Sequence, residues 1–478
     1  MPVSLAMFDV IIIGSGFGGA VPAYELGRAG LRVCLLERGP WRDTPGVRQA
    51  EIARRAPLPQ GRHFLTHAAF RLHHPLLPAA GLQLHRHGMM EFFSGKGVKV
   101  VCTSGMGGGS HAYGGLHALP LNRNYWNGLA DSLDGEVMAP HYAAVKKLLG
   151  SRPPPVLPDT ISWQQGASEF VPVQGGQMPD WGYALETDFG SEGSFGSPDG
   201  NKVTLDTAIL IPALRAGVDL RDCHEVVQVG RLLPGGFAVH AINHHDGSRV
   251  RLTARKVIMA AGAVNTLKLL LQSRAAGGLA GMPALGQGFG TNGDVMAFWP
   301  VNTPGANHPA TGVYQQLFRH RDDLAGPLFM QAGISGLAAM PWPMPVRRLL
   351  QRQLFVAAMG VDAADGLVEL NNDRIQLRYA ASGSAVFTRI ATHLARIGQL
   401  SGQRLFAPGT PTTVHPLGGA RAGHQPETSV VNGMGEVHDL PGLFITDASA
   451  LPAAPGSPPS LSIAAWARHV AMSVIRRP

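Results

Sequence analysis

The sequence lacks a cysteine framework, a long apolar run and a secretion signal. Its three cysteines, Cys34, Cys102 and Cys223, lie far apart among 478 residues, a spacing that predicts neither disulfides nor a metal site. No run of about 18 apolar residues is present, so no spanning helix is predicted. The segment before the first apolar strand is too short and uncharged for a signal peptide. We therefore expect a cytoplasmic protein with no metal.

Acidic residues are fewer than basic ones: the chain has 32 Asp and Glu and 40 Lys and Arg, so its net charge is +8. The excess is mostly arginine, spread along the chain without a nucleic-acid motif, so no nucleic-acid partner is expected. Two interpretations stay open: an ordinary basic surface, or attraction to anionic lipid or an acidic ligand. The length predicts two or more domains, and the sequence says nothing about oligomeric state.

A glycine-rich stretch, GSGFGG at 14–19, separates a short apolar run from a helical pattern. The predicted order is strand Phe8–Ile13, glycine turn, helix Ala20–Ala29 and strand Leu31–Leu36, followed by Glu37. The glycines of such a turn allow the tight bend, the approach of the backbone to a pyrophosphate and close helix packing. A glycine turn without a ligand leaves the acid unexplained, so the pattern predicts a dinucleotide site.

Beyond residue 40 the pattern changes several times. Residues 41–95 are rich in proline, histidine and large apolar residues with weak periodicity, which predicts a long cover over a site. A second glycine-rich stretch, 107–115, predicts close approach of the backbone to a ligand. Residues 345–355, PVRRLLQRQLF, predict a basic helix that is either a solvated face or a lid that touches a membrane. Other helices are predicted at 119–150 and 201–216, and strands at 218–229, 237–242 and 255–260.

Together these pieces resemble the glucose–methanol–choline (GMC) flavin oxidoreductases, most closely the bacterial cholesterol-oxidase-like branch. The resemblance rests on GSGFGG with Glu37, MGGGSHAYGG, AAGAVNTLKLLL, LGQGFGTNGDVM, VHPLGGARAG and LFITDASALP with its closing helix. It implies an α/β fold, a Rossmann-type FAD-binding domain with a discontinuous antiparallel-sheet (α+β) substrate domain. The expected bounds are 1–40, 96–150, 196–297 and 406–478 for FAD binding, 41–95 for a lid, and 151–195 and 298–405 for substrate binding.

The resemblance also implies which residues contact FAD. The pyrophosphate would lie on Gly14, Gly16, Phe17, Gly18 and Gly19, the ribose on Glu37 and the adenine on Val226. The flavin would lie along Gly109, Tyr113, Gly114 and Leu116, with Asp447, Ala448 and Ser460 by the ribityl chain and ring.

His415, in VHPLGG, stands where the family has its active-site histidine. Alcohol oxidation needs a group that accepts or orients the hydroxyl proton while hydride leaves, and histidine titrates in the right range. The alternative is a structural histidine in a glycine-rich turn, which the neighbouring motifs disfavour.

Three positions depart from the family pattern. Pro458 stands where an Asn or a second His is usual, and proline offers no donor. Gln331 stands where steroid-oxidising members carry a glutamate base. Glutamine can hydrogen-bond there without taking a proton, so isomerase activity is not expected. Ala112 stands where some members attach FAD through a histidine, with His111 one residue away, so we expect FAD to be bound non-covalently.

The expected enzyme transfers hydride from a bulky apolar alcohol, such as a sterol, terpene or long-chain alcohol, to FAD, with dioxygen or another carrier as electron acceptor. His415 would be the base and hydroxyl ligand, and Gln331 is the second candidate catalytic residue. An alternative keeps FAD but changes the reaction to an isomerisation, desaturation or decarboxylation, because Pro458 removes a polar partner. A pure binding protein is a third and weaker interpretation.

Overall fold

The computed structural model describes residues 7–153, 169–173, 179–183, 192–300, 314–333 and 340–476. Its α-helices are α1 (Phe17–Arg28), α2 (Pro45–Gln49), α3 (Phe64–His67), α4 (Gly135–Leu148), α5 (Ile211–Arg215), α6 (Ala263–Ala275), α7 (Met344–Leu350), α8 (Ala385–Ser401) and α9 (Ser460–Arg476). Of these helices, none combines the length and apolar character needed to cross a bilayer.

The strands run in chain order as follows. They are β1 (Phe8–Ile13), β2 (Val33–Leu36), β3 (Ala69–His73), β4 (Leu82–Gln83), β5 (Met90–Gly95), β6 (Val98–Thr103), β7 (Leu116–His117), β8 (Phe170–Pro172), β9 (Asp180–Trp181), β10 (Asp219–Arg221), β11 (His224–Arg231), β12 (Phe237–Asn243), β13 (Arg249–Met259), β14 (Gln287–Phe289), β15 (Val295–Pro300), β16 (Tyr314–His320), β17 (Leu328–Ala332), β18 (Gln353–Met359), β19 (Gly366–Asn371), β20 (Arg374–Arg378), β21 (Thr412–Thr413) and β22 (Leu443–Ile445).

The largest sheet has the order β10-β2-β1-β13-β12-β11, with β22 also paired to β13. Its β10, β2, β1, β13 and β22 are parallel, whereas β12 and β11 join the first half of β13 as an antiparallel meander. The apolar run of β1 is buried on both faces from Val10 to Ile13, as a covered parallel strand requires. Helix α9 packs on α1 and α4, with Trp466 fully buried. These elements form the predicted Rossmann-type α/β fold.

Part of the predicted cover at 41–95 is a sheet. Strands β3, β4 and β5 come from this stretch and pair with β6 and β21 in the order β21-β6-β5-β3-β4. Strand β3 pairs in parallel with β5, and the parallel pairing of β21 with β6 joins segments far apart in sequence. Period-two counting missed these strands because prolines and histidines interrupt the alternation.

An antiparallel sheet, β15-β18-β17-β16-β8, forms the expected substrate-side layer. One of its faces packs against α8, an amphipathic helix that buries Val386, Ile390, Leu394 and Ile397. Their spacing of three or four residues places them on one side of the helix. Smaller sheets, β14-β19-β20 and β7-β9, complete the described part of the fold.

Three helix predictions were too long. The helix expected at 119–150 begins only at Gly135, where Asp134 caps it by accepting a hydrogen bond from Val137 N at 2.8 Å. The helix expected at 201–216 has helical geometry only from Asp206. The basic helix expected at 345–355 ends at Leu350, and the chain enters β18 at Gln353. In each case the apolar pattern continued past residues that favour turns or a buried strand.

Candidate active site

The glycine turn gives each glycine a separate physical role. Gly14 has φ +100° and a Cβ there would overlap the carbonyl of Ala260, while a Cβ on Gly19 would overlap the carbonyl of Gly14. A Cβ on Gly16 would meet nothing within 4 Å. Gly14 therefore makes the turn, Gly19 allows helix α1 to pack against it, and Gly16 leaves room for a ligand.

Helix α1 begins at Phe17 without a side-chain cap and without an acidic residue in its first turn. Its first backbone N–H groups have no partners within the helix, and the helix dipole makes this end favourable for anions. The combination of a bare helix start and open space at Gly16 fits a pyrophosphate group.

Glu37 follows β2 and is only 6% exposed. One carboxylate oxygen accepts from Ser15 N at 3.1 Å and Ser15 Oγ at 2.8 Å. The other accepts from Gly39 N at 2.9 Å and Gly105 N at 3.3 Å. The carboxylate thus ties the glycine turn to the second glycine-rich stretch, a role that the sequence did not predict. The expected ribose contact stays a prediction.

Asp447 connects the C-terminal segment to the start of helix α6, beside the glycine turn. Its carboxylate accepts hydrogen bonds from Gly262 N at 2.9 Å, Thr266 Oγ1 at 2.5 Å and Ser449 N at 2.9 Å. Burial raises the pKa of Asp447, although these donors act in the opposite direction. A Cβ on Gly18 would lie 2.8 Å from Thr446 O, which shows how closely this segment approaches helix α1.

One cavity of about 1400 Å³ brings most of the predicted residues together. The expected FAD-contacting residues that line it are Gly14, Gly16, Phe17, Gly18, Glu37, Gly109, Tyr113, Gly114, Leu116, Val226, Asp447, Ala448 and Ser460. Gly19 is not among its lining residues, because it packs on Gly14. Sites for single ligands usually occupy about 300–1,000 Å³, so this volume leaves room for a substrate beside a cofactor.

His415 lines the same cavity and has a buried acidic partner. Its Nδ1 lies 3.0 Å from both carboxylate oxygens of Asp294, and the two side chains are 23% and 4% exposed. An ionised carboxylate can only accept, so the proton lies on Nδ1 and Nε2 carries the lone pair. Among the described residues, none is hydrogen-bonded to Nε2. Sequence reasoning missed Asp294, although it lies in the quoted motif LGQGFGTNGDVM.

Gln331, the second candidate catalytic residue, is not among the residues that line the cavity. It lies in β17, and its neighbours Met330 and Ala332 line the cavity whereas Gln331 does not. Successive side chains of a strand point to opposite faces, so Gln331 lies on the other side of β17 from Met330 and Ala332. A catalytic role for Gln331 stays a prediction. Pro458 does line the cavity.

The position expected to decide covalent attachment is Ala112, and it lines the cavity. His111 does not: its ring is buried, with Nε2 2.8 Å from Met106 O and 3.8 Å from a carboxylate oxygen of Asp206. Burial lowers the pKa of His111. Non-covalent binding of FAD remains the prediction that these positions favour.

Comparisons with known proteins match both ends of the chain. The model of the family described as GMC oxidoreductase matches residues 389–467, and the FAD binding domain model matches residues 9–49. A cholesterol oxidase of Mycobacterium tuberculosis is 26% identical over 549 aligned positions, covering 97% of this chain and 90% of the relative. A 2-methyl-1,2-propanediol dehydrogenase of Mycolicibacterium austroafricanum is 24% identical, covering 100% of this chain and 97% of the relative.

A solved structure of a fungal aryl-alcohol oxidase shares the fold, with a TM-score of 0.62 and 15% identity over 98% of this chain and 99% of that one. The fold, the glycine turn and the matching FAD-binding model define an FAD-dependent oxidoreductase. The family-model matches and these relatives make the chain similar to the GMC oxidoreductases at both ends and along its length.

Proposed function

We propose that this enzyme oxidises a bulky apolar alcohol, with His415 as the base that receives the hydroxyl proton. The observation that carries the proposal is the placement of His415, held by Asp294, on the wall of the cavity that also contains the glycine turn. FAD supplies the flavin ring that accepts hydride from the alcohol carbon when it is bound there.

The chemistry of His415 follows from its hydrogen bonds. Because Nδ1–H donates to Asp294, the Nε2 lone pair is available to accept a proton from a substrate hydroxyl. Proton transfer to Nε2 creates an imidazolium beside a carboxylate, and that charge pair stabilises the protonated ring. Positioned general bases contribute about 10²- to 10⁴-fold to rates.

An apolar substrate is supported by the wall facing the substrate sheet. The apolar side chains that line it are Met296, Phe298, Met330, Met340, Trp342, Leu350, Phe355 and Met359. Methionine is flexible and polarisable, so a methionine-rich wall adapts to rigid or irregular apolar molecules. A sterol, a terpene or a long-chain alcohol fits this chemistry better than a sugar does.

Access from a membrane surface is the partner proposal that the structure supports best. Helix α7 exposes Met344, Val346 and Leu349 together with Arg348, and the exposed Trp342 beside it also lines the cavity. Apolar and basic side chains on one exposed helix suit an anionic lipid surface. Co-sedimentation with anionic vesicles tests this, and Leu349→Asp should abolish it while an uncharged vesicle should give weaker binding.

A different flavin reaction is the second candidate. Pro458 lines the cavity without a polar side chain, and Gln331 does not reach it. An isomerisation, desaturation or decarboxylation would need fewer groups to orient a hydroxyl than an alcohol oxidation does.

Anaerobic mixing of the holoenzyme with a panel of lipophilic alcohols distinguishes alcohol oxidation from the alternative flavin reactions. Loss of flavin absorbance with one alcohol class is expected, and His415→Gln should slow it by at least about 10²-fold. His74→Gln, at an exposed histidine, is the matched control. If no alcohol bleaches the flavin and His415→Gln leaves every measured turnover unchanged, alcohol oxidation through His415 is wrong.

A further inference from the structure

The four-residue turn Thr291–Asp294 contacts two separate segments of the proposed active site. Asn292 and Gly293 both have left-handed backbone geometry, with φ +56° and +63°. Asparagine is one of the few residues besides glycine that adopts this conformation readily. The tight bend sends the side chains of Asn292 and Asp294 to different segments of the chain.

Asn292 is fully buried and holds the loop that precedes helix α9. Its Oδ1 accepts from Gly456 N at 2.9 Å and its Nδ2 donates to Ser457 O at 3.0 Å. The next residue, Pro458, lines the cavity. One amide side chain therefore fixes the backbone that places Pro458.

Asp294 holds the other segment. Besides His415 Nδ1, its carboxylate accepts from Thr413 Oγ1 at 2.8 Å, Val414 N at 3.1 Å and His415 N at 3.2 Å. These backbone and hydroxyl donors fix the position of the Asp294 carboxylate. The fixed carboxylate then determines the direction and tautomer of the His415 ring.

The turn is anchored on a side away from both segments. Thr291 donates through N and Oγ1 to Asp362 at 2.7 and 2.9 Å, and Tyr379 OH donates to the same carboxylate oxygen at 2.7 Å. Asp362 is buried but does not line the cavity. Asp362 is therefore a suitable control for Asp294, because it is a carboxylate of similar burial that supports the turn without contacting His415.

We propose that Asn292 and Asp294 are positioning residues, through which one rigid turn fixes His415 and the Pro458 backbone relative to each other. This inference rests on the proposed role of His415 and deepens it. It predicts that the two side chains act on different segments and can be separated by substitution.

Three variants of the holoenzyme test this: Asp294→Asn, Asn292→Gly and Asp362→Asn. Glycine at 292 keeps the left-handed backbone free of strain, so it removes the two hydrogen bonds to the loop together with the contact from Nδ2 to Met359 Sδ at 3.7 Å. Histidine ring ¹⁵N spectra, with His415 assigned by His415→Gln, report its tautomer. Hydrogen exchange of the peptide covering 452–459 reports the loop, and the panel alcohol that bleaches flavin fastest reports turnover.

In Asp294→Asn, the His415 ring should lose its fixed Nδ1–H tautomer, because an amide can present either a donor or an acceptor to Nδ1. The kcat of the Asp294→Asn variant should fall about 10²-fold, and hydrogen exchange of the 452–459 loop should be unchanged. In Asn292→Gly, exchange at 452–459 should rise at least about tenfold, as expected when two buried hydrogen bonds are lost, with KM raised and the His415 tautomer unchanged. Asp362→Asn should lower Tm without either effect.

The inference is overturned if Asp294→Asn and Asp362→Asn give the same His415 spectra, or if Asn292→Gly leaves exchange at 452–459 at the wild-type rate. Failure of the proposed function is a different result: His415→Gln then turns over as the wild type does, whatever the spectra and exchange show.

Discussion

Two single-methyl substitutions in the glycine turn separate cofactor binding from folding. Gly16 has φ −69° and ψ −166°, an extended geometry open to alanine, and its Cβ would meet nothing within 4 Å. Gly16→Ala should therefore leave the apoprotein unchanged or stabilise it by about 0.4–1 kcal/mol, because alanine reduces the freedom of the unfolded chain.

The same methyl at Gly19 has the opposite effect on stability. Its Cβ would lie far inside the 3.0 Å limit of real Cβ contacts, against backbone oxygen rather than a flexible side chain. Overpacking of this kind costs about 1–3 kcal/mol, which exceeds the helix-propensity gain of about 1 kcal/mol for replacing glycine. Gly19→Ala should therefore destabilise the apoprotein.

Urea unfolding of the two apoproteins measures these changes, and FAD titration followed by quenching of flavin fluorescence measures binding. Gly16→Ala should weaken FAD binding at least about tenfold, or 1.4 kcal/mol, because the methyl occupies the space left for the pyrophosphate. A folded Gly16→Ala apoprotein that binds FAD as tightly as the wild type would refute the assignment of this turn to the pyrophosphate.

Other predictions concern buried polar groups. Asp447→Ala leaves several buried donors without an acceptor and should lower the free energy of unfolding by at least about 3 kcal/mol, measured by urea denaturation. Lys202 Nζ donates to three carbonyl oxygens, including those of His111 at 2.9 Å and Tyr113 at 3.2 Å, so Lys202→Met should lower Tm and raise proteolysis near these loops. Burial lowers the pKa of His67 and His87 to about 4. The unfolded chain therefore binds these protons first, and stability should fall as pH drops from about 6.5 to 4, whereas a flat urea midpoint over that range would contradict the burial of these rings.

Local patterns made the dinucleotide half predictable. Strand β1, the glycine turn, helix α1 and strand β2 follow one another within thirty residues, and each has its own periodicity or turn residues. Glu37 could be placed at the end of β2 for the same reason. Its bonds to Ser15 and Gly105 could not be predicted, because they depend on how a segment nearly seventy residues away folds back.

The substrate side was harder to predict because its geometry depends on register and on distant pairs. Gln331 stands between Met330 and Ala332, which line the cavity, and in a strand a shift of one residue is enough to reverse the direction of a side chain. Asp294 lies 121 residues before His415, and no local spacing connects them. The motif GTNGDVM contains Asp294, but the role of this carboxylate could not be predicted until its hydrogen-bond partner His415 was known.

The position of Pro458 determines what kind of specificity this site can have. A second donor beside the histidine would fix the hydroxyl through two hydrogen bonds, and sites built in this way reject analogues that lack the matching polar group by large factors. Here His415 is the polar group proposed to contact the hydroxyl, and the facing wall is apolar and rich in methionine. A hydrophobic pocket discriminates by only about 1–3 kcal/mol for each methylene. The enzyme should therefore select alcohols by size and shape and accept related ring systems or chain lengths with graded rates.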